Sequence, residues 1–139
     1  MKRVFILLIA TLALAACGGP AQKTTLEISL DAKDIAFGTT AIEVAAGQPV
    51  KLMLNNTGAL EHDFSILEIP LANKVEQGEA AGGHNMNMGV DPQLHVAAAP
   101  GKSAIIKFTA TKPGTYEFYC TTAGHKEAGM IGTLVIKEP

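Results

Sequence analysis

An all-β fold, an antiparallel sandwich of seven to eight strands, is predicted by three features of this sequence. Apolar and polar residues alternate over short runs, as in Leu26, Ile28 and Leu30 against Thr25, Glu27 and Ser29, which is the period of a half-buried strand. Turn signals close such runs at short intervals, at Ala46-Gly47-Gln48-Pro49, Ala99-Pro100-Gly101 and Lys112-Pro113-Gly114, where Gly and Pro interrupt regular structure. A length of 139 residues suits one domain built from strands at this spacing.

Residues 1–16 read as a signal peptide and stand outside the fold. Met1-Lys2-Arg3 is a basic start, and Val4 to Ala16 is an apolar run of 13 residues. As a helix that run reaches only ~20 Å, short of the ~30 Å hydrocarbon core of a bilayer, so it fits an export signal. It ends in Leu14-Ala15-Ala16-Cys17, which resembles the bacterial lipobox. That resemblance implies cleavage before Cys17 and lipidation of Cys17, while plain secretory cleavage remains the alternative. Residues 17–23 read as a short tether, because Gly18-Gly19-Pro20 can neither continue a helix nor pack a core; the lipobox resemblance implies that it is lipidated. Several acyl chains anchor a protein stably where one alone binds marginally. The expected location is therefore exported, lipid-anchored to a bacterial membrane and facing the periplasm or cell exterior.

The domain proper spans 24–139. After the strand over Thr25 to Leu30, Asp31 to Thr40 is irregular, with a turn at Phe37-Gly38. Ala41 to Ala45 is a second strand, and Val50 to Asn55 a third with Val50, Leu52 and Leu54 on one face. Asn56 to Leu60 is a loop delivering His62, and Asp63 to Ile69 continues as a strand. Pro70 to Gln93 carries little strand signal and several glycines; a loop this long is usually functional or mobile. Leu94 to Ala98, Ser103 to Thr109, Thr115 to Cys120 and Ile131 to Lys137 complete the strands.

Charge and cysteine usage narrow the function. The formal charge is −2, and removing Lys2 and Arg3 takes it to −4. Arg3 is the only arginine, which argues against nucleic-acid recognition, where the bidentate guanidinium is the favoured tool. A mildly acidic surface still allows steering to a basic partner. The two cysteines are Cys17, in the leader, and Cys120. A bridge between them is the bland alternative for an exported chain.

The chemistry concentrates in Tyr119-Cys120-Thr121-Thr122-Ala123-Gly124-His125-Lys126-Glu127-Ala128-Gly129-Met130. Strand-like residues enter and leave this segment, so it is a loop at one end of two strands. Cys120, His125 and Met130 recur every five residues, with Gly124 and Gly129 just ahead of two of them. Thiolate, imidazole and thioether together suit copper, and two imidazoles, a thiolate and a weak axial thioether make the blue-copper arrangement. His62 is the candidate for the remaining imidazole. The competing reading is a buried thiol, a surface imidazole and a core thioether.

Glu61-His62-Asp63-Phe64, together with Tyr116-x-Phe118-Tyr119-Cys120 through Gly129-Met130-Ile131-Gly132, resembles the cupredoxins, the small blue-copper proteins. The Cys-x4-His-x4-Met spacing is similar to that of auracyanins; azurins and plastocyanins are shorter in one gap or the other. The resemblance covers about residues 24 to 138 and implies a cupredoxin-like antiparallel Greek-key β-sandwich. It implies one type 1 copper held by His62, Cys120, His125 and Met130. Many relatives carry Asn after the first histidine, bonded to backbone at the residue after the cysteine. Here those positions are Asp63 and Thr121, and a carboxylate can accept from Thr121 but has no amide hydrogen to donate. The Leu60 carbonyl is a candidate distant neighbour of the metal, as in azurins.

His84, Met86 and Met88 form a second cluster of soft ligand types. It reads first as an exposed loop, then as partner docking or copper capture. His95 reads as structural. The resemblance implies a membrane-anchored electron carrier, not an enzyme, cycling one copper in a photosynthetic or respiratory chain. Its partners would be redox proteins such as cytochromes, a reaction centre or a terminal oxidase. The alternative is a copper trafficking or storage lipoprotein using His84, Met86 and Met88. A copper enzyme fits less well: reductases and oxidases of this kind need further ligands, and an oxidase CuA module needs a second loop cysteine where Thr122 and Gly124 stand.

Overall fold

Period-2 alternation produces two facing sheets. The computed structural model describes residues 23–77 and 91–139. One sheet runs β2-β1-β4-β8-β6, built from β1 (Leu26–Lys33), β2 (Ala36–Phe37), β4 (Val50–Asn56), β6 (Leu71–Gln77) and β8 (Ser103–Ala110). The other runs β3-β10-β9-β5-β7, from β3 (Ala41–Ala45), β5 (His62–Ile66), β7 (Leu94–Ala98), β9 (Gly114–Tyr119) and β10 (Ile131–Lys137). Leu30, Leu52, Leu54, Ile106 and Phe108 of the first sheet pack with Phe64, Ile66, Leu94, Phe118 and Leu134 of the second, all at 1% exposure or less. Burying such side chains contributes roughly 1.5–3 kcal/mol each.

The sandwich differs from the sequence expectation in three ways. Ten strands are present among the described residues rather than seven or eight. The sheets are mixed, because β1 pairs parallel with β4 and β3 parallel with β10. The chain passes from β1 and β2 to β3 in the opposite sheet and returns at β4. A strand's neighbour is therefore often reached by a crossover of the Greek-key kind, and alternation reads the same in either direction. Finally, β1 continues to Lys33, β2 lies within the segment taken as irregular, and β6 lies within the one taken as a long loop. β2 is too short to show a period. In β6, Ala72 through Val75 are all exposed, as an edge strand permits, so no alternation marks it. Residues 1–16, Cys17, most of the tether, His84, Met86 and Met88 lie outside the described residues.

Three strand termini meet at one end of the second sheet. β5 begins at His62, β9 ends one residue before Cys120, and β10 begins one residue after Met130. Tyr119 and Ile131 pair across β9 and β10, and Ser65 pairs with Tyr119 across β5 and β9. His62, Cys120 and Met130 are thus set at the ends of hydrogen-bonded strands, and His125 lies in the loop between β9 and β10.

Beneath them, Phe118 packs edge-on against Phe37 and tilted against Phe64, with centroids 5.2 and 5.1 Å apart. Its ring lies over Gly132, its cross-strand partner, where an added Cβ would come within 2.2 Å of the ring tip. Gly132→Ala should therefore force the ring aside and lower stability by about 1–3 kcal/mol, the usual range for overpacking. Urea unfolding should show a lower midpoint at unchanged slope; an unchanged midpoint would mean the ring moves freely.

Candidate metal centre

The loop from Cys120 to Met130 is closed by its own backbone. Cys120 N–H donates to the Met130 carbonyl at 3.2 Å, and Met130 N–H donates to the His125 carbonyl at 2.9 Å. Within it, His125 N–H reaches Thr122 O and Ala128 N–H reaches Gly124 O, each at 3.0 Å. Gly124 and Gly129 take φ of 81° and 99°, a region where a Cβ is strained. These glycines let one short loop turn twice and return Met130 to the strand.

The second loop, before β5, is held by Asn56. This side chain, 2% exposed, donates to the Leu60 carbonyl at 2.7 Å and the Ala98 carbonyl at 2.8 Å, and accepts from Gly58 N–H at 2.9 Å. The Leu60 carbonyl, a candidate neighbour of the metal, is thus turned to Asn56. Two ties join the loops: Thr122 Oγ1 donates to the Glu61 carbonyl at 3.1 Å, and Asp63 receives Thr121. Both Asp63 oxygens lie 3.0 Å from Thr121 N, and Oδ2 lies 2.8 Å from Thr121 Oγ1.

His62, Cys120 and His125 meet where the loops converge. Their ligand atoms all lie within 4.8 Å of one another, and all three residues are buried. Cys120 Sγ is 3.4 Å from His125 Nδ1 and 3.9 Å from His62 Nδ1. The two rings are tilted by 42° with centroids 5.0 Å apart. Met130 is fully buried and bonded through its backbone to both Cys120 and His125. His62 and Cys120 show no exposure, whereas His125 keeps 4%. His95 lies apart, on β7.

The electrostatics call for a cation. Burial pushes the Cys120 thiol above its ordinary value, and the Asp63 carboxylate pushes it further; Asp63 Oδ2 is 3.6 Å from the sulfur. Burial and His125 hold His62 below the ordinary imidazole value, against the opposing pull of Asp63 and Asp34. The His62 and His125 imidazoles beside a thiol whose ionisation burial and a carboxylate oppose form a donor set suited to a metal ion, which removes the thiol proton on binding. His62 Nε2 is the buried side-chain nitrogen left without a hydrogen-bond partner among the described residues. It abuts Gly58, where an added Cβ would lie 3.1 Å away. With Nδ1 directed to the sulfur, the proton of neutral His62 belongs on Nε2, which leaves Nδ1 free to bind. The arrangement can coordinate a single copper ion, as a type 1 site requires.

Residues 24–137 match the model of the copper-binding plastocyanin/azurin family. The chain belongs to this family. Among its relatives, auracyanin-A of Chloroflexus aurantiacus is 30% identical, over 96% of this chain and 96% of its own length. The copper-resistant cuproprotein CopI of Pseudomonas aeruginosa is 31% identical, over 88% of this chain and 83% of its own length. The solved structure of auracyanin A from Chloroflexus aurantiacus superposes with a TM-score of 0.61 at 25% identity, covering 82% of this chain and all of that one. The family's cupredoxin fold and its copper chemistry therefore apply here.

Several supporting bonds escaped the sequence reading: those of Asn56, Thr122 and Ser65, and the contact of His95 with Ser65. Asn56 and Thr122 stand beside the motifs that were read, but each acts through one specific bond to distant backbone, which spacing does not encode.

In the copper-free protein these shifts make stability depend on pH. His62 titrates below its ordinary 6.5, so its contribution is present above pH 6.5 and lost as the pH falls. Cys120 titrates above its ordinary 9.0, so its contribution is present below pH 9.0 and lost as the pH rises. The urea midpoint should be flat between those values and fall on both sides. Cys120→Ser should flatten the alkaline fall below pH 10, where Tyr119 also begins to contribute, and His62→Gln should flatten the first acid fall. Identical profiles for wild type and both variants would contradict this.

Proposed function

We propose that the chain is a membrane-anchored blue copper protein that transfers single electrons, with His62, Cys120, His125 and Met130 as ligands. The observation that carries this reading is the buried triad with its ligand atoms within 4.8 Å. Copper bound there supplies a one-electron couple between Cu(II) and Cu(I). The protein's part is to hold the donors still. Each ligand stands at a strand end or in a loop closed by backbone bonds, so little need rearrange when the charge changes. Met130, whose backbone is bonded to Cys120 and His125, would supply the weak fourth donor in this reading, as the resemblance implies.

Electrons pass through His125 in this reading, because it alone of the two imidazoles keeps exposed surface. Ala59, Leu60, Ala128 and Ile131 are exposed around the two loops, Leu60 by 53%. An apolar collar of this kind suits brief docking, since transient redox interfaces are small, below ~1,200 Å². Lys126 is engaged elsewhere, paired with Glu117 at 2.6 Å and lying 3.9 Å from the Tyr119 ring centroid. The partners would be cytochromes, a photosynthetic reaction centre or a terminal oxidase. Residues 1–16 are proposed as a signal peptide, 17–23 as a tether lipidated at Cys17, and 24–139 as the copper domain. No helix among the described residues is long and apolar enough to cross a membrane, and the anchor rests on the Leu14-Ala15-Ala16-Cys17 motif. Cys17→Ala should move the protein from the membrane to the soluble fraction; continued membrane retention would rule out the lipid anchor.

A copper-handling role is the second reading, favoured by the 31% identity to a protein named for copper resistance. Transfer of copper to a copper-free acceptor would support it. Rapid electron exchange with the copper retained supports electron transfer, and Leu60→Asp should slow that exchange several-fold without changing colour.

Cu(II) added to the purified protein should produce an intense thiolate-to-copper absorption toward the red end of the visible. Cys120→Ser should abolish it while the fold persists. Met130→Leu should keep the colour and raise the reduction potential, since losing a sulfur donor disfavours Cu(II). A colourless copper-loaded wild type would overturn the site, and an unchanged potential would remove Met130 from it.

A further inference from the structure

The hydrogen bonds on Asp63 continue away from the metal centre. Asp63 and Ser65 are two residues apart on β5 and so share a face, opposite to that of Phe64. Ser65 stands directly across from His95 on β7. Ser65 Oγ is 2.8 Å from Asp63 Oδ1 and 2.8 Å from His95 Nδ1, while His95 Nδ1 is 4.0 Å from Asp63 Oδ1. The serine therefore bridges the other two.

Counting donors fixes the direction of this chain. Asp63 faces the Thr121 N–H, the Thr121 hydroxyl, the Ser65 hydroxyl and, in the copper-free protein, the Cys120 thiol. A carboxylate only accepts, so all four hydrogens point at it. Ser65 has one hydroxyl hydrogen, and it is committed to Asp63. The short contact between Ser65 Oγ and His95 Nδ1 then needs a hydrogen on Nδ1. His95 donates to Ser65, and Ser65 donates to Asp63.

We propose that His95 is a positioning residue for the metal centre, acting through Ser65 to hold the Asp63 carboxylate against Thr121 and Cys120. A serine hydroxyl alone rotates to whichever acceptor is nearest. A donor at His95 Nδ1 turns that hydrogen toward Asp63. With Oδ1 held by Ser65 and Oδ2 by Thr121, the carboxylate plane, otherwise broad and two-fold in its torsion, has one orientation. The need is specific to a carboxylate. A buried charge is costly unless each lone pair is engaged, and this one stands beside a sulfur that must itself ionise to bind metal. Placement of Asp63 by this chain stands on geometry alone; its effect on copper rests on the metal-centre reading above.

The test reads the two parts separately. In the copper-free protein, hydrogen exchange at the Thr121 amide followed by NMR reports whether Asp63 stays in place. His95→Leu and Ser65→Ala should each speed that exchange about tenfold, as expected for loss of one well-placed bond. His95→Asn, whose amide nitrogen falls near the position of Nδ1, should restore the wild-type rate. His95→Leu should add nothing in a Ser65→Ala background, because the two act in series. With copper bound, the same variants should shift the charge-transfer band and the reduction potential in the same non-additive pattern. Unchanged Thr121 exchange in His95→Leu, or additive effects in the double variant, would overturn the proposal. If His95→Leu does not fold, His95→Asn against His95→Gln decides: Asn should match wild type and Gln should exchange faster, and equal rates would overturn it. A wild type that takes up copper without colour would sink the metal reading and leave the exchange result to judge the positioning role.

Discussion

Cys120 and Asp63 both ionise to anions, and both are fully buried with sulfur and carboxylate oxygen 3.6 Å apart. Burial and like charge together oppose ionisation of the thiol. Four hydrogen-bond contacts from Thr121 and Ser65 stabilise the carboxylate, whereas the hydrogen bonds that Thr122 and the Asp63 backbone offer the sulfur do not offset burial and the carboxylate, and the thiol stays raised. Lys126, over the Tyr119 ring, is paired with Glu117. A metal cation at the sulfur resolves the conflict, since coordination removes the thiol proton outright. The rest of the molecule can be read as the frame that keeps these groups together, dry and ready for that cation.

The frame works by ending strands at the site. His62 opens β5, Cys120 follows β9 and Met130 precedes β10, so these three candidate ligands inherit the position of a paired strand, while His125 is held by the backbone bonds of the loop. The loops add what strands cannot. Gly124 and Gly129 supply left-handed turns, Asn56 fastens the loop before His62, and Thr121 and Thr122 tie one loop to the other. Below, Phe37, Phe64 and Phe118 pack against one another and give the site a rigid floor. A ligand set held this way changes little between oxidation states, which is what rapid electron exchange asks of a protein.

The parts legible in the sequence were those written as local pattern. Val50, Leu52 and Leu54 announced β4 by alternation, and all three are buried. The recurrence of Cys120, His125 and Met130 announced a loop rich in copper ligand types, and His62 joins the first two in space. Pairing direction was not legible, because alternation in β1 and β10 looks the same whether the neighbour is parallel or antiparallel. β6 was hidden because an exposed edge strand shows no apolar face. His95 reads as structural from the sequence, and its bond to Ser65 across the β5–β7 ladder depends on register rather than on any local motif.

The central claim is that the two loops converge to hold copper through Cys120 and both imidazoles. X-ray absorption at the copper edge of the Cu(II)-loaded protein tests it most directly. The account predicts a copper shell with one short sulfur bond and two nitrogen bonds, and loss of the sulfur in Cys120→Ser. A shell of nitrogen and oxygen alone in the wild type would contradict it.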